Sequence, residues 1–313
     1  MNIDNFLFDV VRHYPFRVLS WSPIREDRQR LITDSGRKLL RLVPDETRVM
    51  AWSDLLDALA LQRFRLTPRL LQTKDGERFV RMRQHAYFVT DDIAWRSVLL
   101  TDDDVLKAAH ELGRLHQALR EVPDEIAQRF SERPSSLDKM TDDLSTLQSA
   151  YQNIQGQKTP FSTLFAAVFD QVSARATRSL ARARDAGLGQ EGQQGLFLGG
   201  FDHEKIAATQ HGAIAVVSFD DVGLGDPADD LDHYARYLFE QGSAGLLTTL
   251  FASYSRFAGL SPGQKERSLS YAGFPFATSA ISRTYLKAKD RDNPAYATRL
   301  KEALRIDSGR GRQ

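Results

Sequence analysis

Residues 195–237, GLFLGGFDHEKIAATQHGAIAVVSFDDVGLGDPADDLDHYARY, constrain this chain more than any other stretch. A short apolar run at 195–199 enters a loop. Two β-friendly runs then form a ribbon, and a turn rich in glycine and aspartate delivers the chain into a helix.

The order of elements and residues here resembles the catalytic segment of the aminoglycoside-phosphotransferase and choline-kinase superfamily, and within it the spore-coat CotS-like branch. Against that family's H-G-D-F-H-x-E-N-I loop, the chain has Leu198, Gly199, Gly200, Phe201, Asp202, His203, Glu204, Lys205 and Ile206. Against its I-D-F-G-D-A-G-L-G-D-P-A-x-D-L turn, the chain runs from Val217 through Ser218, Phe219, Asp220 and Asp221 to Asp230 and Leu231. The resemblance puts the family's catalytic Asp on Gly200, its metal-binding Asn on Lys205 and its second metal-binding Asp on Ser218. A register shifted by two would put Asp202 and Asp220 in the carboxylate positions, at the expense of the match from Asp221 to Leu231.

Those replacements bear directly on chemistry. Phosphoryl transfer depends on positioning and on neutralising charge. Gly200 has no side chain to orient an acceptor hydroxyl. Ser218 is a weak, neutral ligand for a hard cation. Lys205 puts a positive charge where magnesium would sit, although a lysine can itself hold a phosphate or a carboxylate. The expectation is a pseudoenzyme that keeps the fold for binding or scaffolding, with no metal site and no cofactor. The alternative is an active small-molecule phosphotransferase using Asp202 and Asp220, with ATP and magnesium.

At 313 residues, 42% of them hydrophobic and 27% charged, the chain reads as globular. The 42 lysines and arginines nearly cancel the 41 acidic residues, so no global field draws nucleic acid or a membrane. Cysteine is absent, which excludes disulfides and thiolate chemistry. The opening MNIDNFLFDVVRHY lacks the pattern of a signal peptide, and no run is long enough to span a bilayer. A cytoplasmic location is expected.

The resemblance implies an α+β, bilobal protein-kinase-like fold, with residues 1–92 as a small antiparallel lobe and 93–313 as a helical lobe carrying the altered loop at 195–231. Short strands are expected at 16–21, 30–33, 38–43, 70–73, 78–83 and 87–90, with a hairpin turn at Asp34-Ser35-Gly36 and a helix at 45–62. Residues 91–97 would be the hinge. Helices are expected at 105–119, capped by Thr101, and at 135–151, 161–186, 230–241, 245–259, 262–271 and 277–290, with a loop at 187–195 and a frayed end from 308.

Arg41 falls where the family places its phosphate-pairing lysine. It either contacts an anion or is an exposed basic residue on a half-buried strand; Glu46 and Asp54 are the helix acids that could pair with it. The acidic run Asp220, Asp221, Asp226, Asp229 and Asp230 suits caps and turns better than a metal, and Asp230 would tie its helix to the loop. His116 should brace that loop. Arg175, Arg178, Arg182 and Arg184 read as a solvated face. A protein partner or a small ligand in the cleft between lobes is expected.

Overall fold

The computed structural model describes residues 8–82, 84–187 and 194–311. The chain divides into two compact units, one of residues 1–98, 117–131 and 204–220, the other of residues 99–116, 132–203 and 221–313. The division is discontinuous in sequence, and it assigns the ribbon after the altered loop to the first unit.

In the first unit, β1 (Val18–Arg25), β2 (Arg28–Thr33), β3 (Gly36–Val43), β4 (Val80–Met82) and β5 (His85–Asp91) form an antiparallel sheet in the order β1-β2-β3-β5-β4. The Asp34-Ser35-Gly36 turn pairs Thr33 with Gly36, and Gly36 has φ +96°, a conformation that favours glycine. That turn fixes the register outward, so Arg28 lies opposite Arg41, and Arg41 lies in turn opposite Phe88. Leu31, Leu40, Val80, Tyr87 and Val89 pack with Val10, Val11 and Tyr14. The helix α1 (Glu46–Leu61) starts at Asp45, whose carboxylate accepts the Thr47 N–H, and packs against β3 and β5. A second small ribbon, β7 (Ile206–Ala208) with β8 (Ile214–Val216), belongs to this unit, and the Ala208 carbonyl accepts the Trp95 N–H at 2.9 Å. The stretch 91–97, expected as a hinge, is held within this unit by Arg30 and Arg37, both 2.7 Å from Asp92.

The second unit is mainly helical. It contains most of α2 (Asp102–Arg120), then α4 (Ser136–Ile154) and α5 (Pro160–Gly187), with the short α3 (Asp124–Ala127) lying in the first unit. After the altered loop come α6 (Ala228–Glu240), α7 (Leu247–Ala258), α8 (Pro262–Ala272), α9 (Phe276–Lys287) and α10 (Ala295–Asp307). Met140, Leu147, Phe161, Phe165, Leu180, Tyr271 and Tyr285 lie among the shared core of these helices. Capping boxes start two of them, Ser135 with Asp138 and Ser261 with Gln264, each worth about 1 kcal/mol.

Several expectations are corrected. Residues 70–73 form no strand; Leu70 makes one isolated bridge to Thr90. The turn at 223–225 is β9 (Gly223–Gly225), paired antiparallel with β6 (Gly195–Phe197). The helix expected to run to 290 ends at Lys287, and α10 follows where none was expected. The end is placed as far as 311: Gly309 adopts φ +73° against the Phe239 ring, and Gly311 is buried beside Gln241. Residues 188–193 of the expected loop, Arg83 of the expected strand and residues 1–7 of the opening lie outside the described residues, as do Arg312 and Gln313.

Candidate functional site

In the sheet unit, the charged residues singled out in the sequence meet around one carboxylate. Arg41 is 8% exposed, not surface-borne, and its guanidinium lies 5.2 Å from the Trp52 ring and 5.3 Å from Phe88. It donates to one oxygen of Asp220, while Arg28 Nη2 donates to the other at 2.9 Å. Arg48, stacked 4.9 Å from Trp52, donates to the Asp220 backbone carbonyl. The Ser218 hydroxyl also donates to Asp220, at 2.9 Å. Two guanidinium groups directly opposite each other on paired strands would repel, and Asp220 supplies the charge between them.

The electrostatics follow from this geometry. Burial alone would raise the Asp220 carboxyl, but Arg41 and Arg28 outweigh it and hold the group at about 2. Burial lowers the pKa of Arg41 and Asp220 opposes that fall, leaving it below the usual arginine value. Neither proposed helix acid reaches Arg41: Glu46 pairs with Arg81, and Asp54 with Arg129. Lys205 is 8% exposed, and its carbonyl accepts the Val217 N–H at 2.8 Å, joining the loop to the ribbon.

In the helical unit, Asp230 is fully buried and ties the altered loop together. It accepts the Leu198 and Gly200 N–H groups at 2.7 Å each, and His116 Nε2 lies 3.1 Å away. His116 Nδ1 lies 2.8 Å from the Tyr254 hydroxyl, so the expected bracing role runs through Asp230. Gly199 and Gly200 have φ +80° and +120°. A Cβ on Gly200 would come within 3.1 Å of His233 Nδ1, so the loop at this position is shaped for glycine.

Asp226 and Asp229 of the run, with Asp232, surround one arginine. Arg267 meets Asp226 at 2.5 Å, Asp229 at 3.4 Å and Asp232 at 3.1 Å. Burial and the neighbouring Asp232 push Asp229 up to about 8, and burial raises Asp232 despite Arg267. Asp226 also caps α6 by accepting the Ala228 N–H at 2.9 Å. Arg175 departs from the expected solvated face: its Nε donates to the Gly273 carbonyl at 2.7 Å, whereas Arg178, Arg182 and Arg184 are exposed.

Arg28, Arg48 and Arg267 were not evident as partners in the sequence. Arg28 had a usable signal, because counting back from the Thr33–Gly36 turn places residue 28 opposite residue 41. Arg48 and Arg267 depend on tertiary placement and carried none.

No family model matches the chain, and no curated protein matches it. Solved structures do. An aminoglycoside phosphotransferase from Alicyclobacillus acidocaldarius aligns with TM-score 0.79 at 16% identity, over 96% of this chain and 92% of that one. Spectinomycin phosphotransferase APH(9)-Ia, in complex with ADP and spectinomycin, aligns with TM-score 0.67 at 13% identity over 97% of both chains. A microcompartment-associated aminopropanol kinase aligns with TM-score 0.63 at 16% identity over 99% of both. The chain therefore has the α+β protein-kinase-like fold of these phosphotransferases. Among the described residues, no helix is long and apolar enough to cross a membrane.

Within the sheet unit, the residues at the altered positions do not fit magnesium: the Ser218 hydroxyl is committed to Asp220, and Asp220 is bound by two guanidinium groups. Lys205 adds a further positive charge in the loop.

Proposed function

We propose that this chain is a kinase-fold pseudoenzyme, a binding or scaffolding protein acting on a protein partner or a small ligand. The observation that carries this reading is the engagement of Asp220 by Arg28 and Arg41. The carboxylate that the active alternative needs as a metal ligand instead neutralises the arginine in the position of the family's phosphate-pairing lysine. A divalent cation would have to displace both guanidinium groups and overcome their repulsion. Magnesium and ATP are accordingly not part of this reading, and a cytoplasmic location goes with it. The glycine conformation at 200 adds support, since the missing carboxylate cannot be restored there without strain.

The test is phosphate release and acceptor phosphorylation with ATP and magnesium, comparing the native chain with Asp202→Asn. The reading predicts background rates in both. Magnesium-dependent turnover lost on Asp202→Asn would establish the alternative, an active phosphotransferase acting on a hydroxyl or amine. The combined reversal Gly200→Asp, Lys205→Asn and Ser218→Asp is expected to stay inactive, because the loop and the arginines remain.

A further inference from the structure

Within the helical unit lies a cavity of about 330 Å³, a volume suited to a small metabolite. Its lining includes Arg133, Lys139, Phe197, Gly199, Asp229 and Arg283. The cavity's carboxylates are mostly spoken for. Asp143 accepts from Arg283 at 2.6 Å and from Ser279 at 2.7 Å. Asp229 accepts the Ser136 N–H at 3.2 Å and faces Arg267, and burial beside Asp232 raises its pKa, which favours the neutral form. Asp142 and Asp221 are exposed, where water screens their charge.

Two of the cations are differently placed. Lys139 sits in the first turn of the capped helix α4, where its own N–H donates to the Ser135 carbonyl at 3.1 Å. Among the described residues its ammonium has no hydrogen bond or ion pair, only the face of Phe276 at 5.8 Å. Arg133 is anchored by its N–H to the Leu224 carbonyl at 2.9 Å, and its Nε is buried with no acceptor among the described residues. A buried donor such as the Arg133 Nε is costly without an acceptor, and a ligand oxygen would satisfy it, while the part-buried Lys139 ammonium is left available to the same ligand.

We propose that this cavity binds a small molecule bearing an oxyanion, a carboxylate or a phosphate ester, held by Lys139 and Arg133. The inference rests on the reading of the chain as a binding protein and names the class of ligand. Burial, with the charge of nearby Arg236, lowers the Lys139 pKa, which leaves its amine more readily deprotonated and chemically addressable.

That reactivity supplies the test. Pyridoxal phosphate carries both a phosphate and an aldehyde. Its aldehyde condenses with a free amine, releasing water, and borohydride then reduces the imine to a stable secondary amine that mass spectrometry locates. Pyridoxal, lacking the phosphate, is the control. Lys139 should be labelled about tenfold faster by pyridoxal phosphate than by pyridoxal, the effect of one or two charge-assisted contacts. Inorganic phosphate or succinate should protect it, and which of them protects better identifies the preferred anion. Arg133→Gln should abolish the preference for pyridoxal phosphate over pyridoxal. Equal labelling by the two reagents, with no protection by either anion, would overturn the proposal. Such a failure would leave the absence of phosphoryl transfer standing, whereas magnesium-dependent turnover would overturn that reading without altering the labelling.

Discussion

Arg41, Arg28 and Asp220 form one charge cluster, two guanidinium groups around a carboxylate. Arg41 and Arg28 face each other because the 33–36 turn sets the hairpin register, and Asp220 reaches them from the ribbon. An Asn at 220 keeps the shape and removes the charge, leaving two guanidinium groups to repel. Asp220→Asn should lower stability by about 2 kcal/mol, given that Asp220 is partly exposed. Arg28→Gln in the same background should recover part of that loss. Urea denaturation of the two single variants and the double variant measures this coupling, and purely additive effects would count against it. In the sequence Arg41 and Asp220 stood out separately, as an anion contact and as a possible metal ligand. Their meeting was hidden because it spans 179 positions and no local pattern links them.

Elements with local signals were the legible ones. The 34–36 turn, the cap at Asp45 and the amphipathic helices follow from nearest neighbours, and the structure places them within a few residues of the expected bounds. β9 was read as a turn because it begins and ends in glycine, residues poor in strand propensity. Its glycine has a tertiary cause: a Cβ on Gly225 would approach the Phe197 ring to 2.8 Å. The run 70–73 fails as a strand because its pairing with β5 stops at the Leu70–Thr90 bridge and the Leu71 N–H to Val89 carbonyl bond, while Thr73 turns to accept from Gly76 and donate to Glu77. The altered loop was legible as a motif, but its backbone was not: Asp230 draws in two N–H groups, and Gly200 takes φ +120°. Gly200→Ala should therefore cost about 1–3 kcal/mol in thermal or urea unfolding, where an ordinary loop Gly→Ala change would be neutral or stabilising.

At the scale of the molecule, buried carboxylates pull stability in opposite directions with pH. Asp220, held at about 2 against an ordinary 3.8, stabilises the fold above pH 4 and loses that contribution as pH falls toward 2. Asp307, which burial raises to about 6 despite hydrogen bonds from Thr278 and Ala277, and Asp229, raised to about 8, behave oppositely. Their favourable contribution is complete below pH 4 and is lost as pH rises through 6 and then 8. Melting temperature should therefore fall from pH 5 to pH 9, and Asp229→Asn should flatten the upper part of that fall. A native melting temperature that climbs steadily over this range would contradict these assignments. The central claim, that the phosphotransferase fold here no longer takes a magnesium nucleotide, is tested most directly by melting the protein with ATP and with GTP, each with and without magnesium. A nucleotide at about 100 times its dissociation constant would add roughly 2.7 kcal/mol and raise the midpoint by several degrees. The account predicts no magnesium-dependent shift with either nucleotide, and a clear shift that appears only when magnesium is present would contradict it.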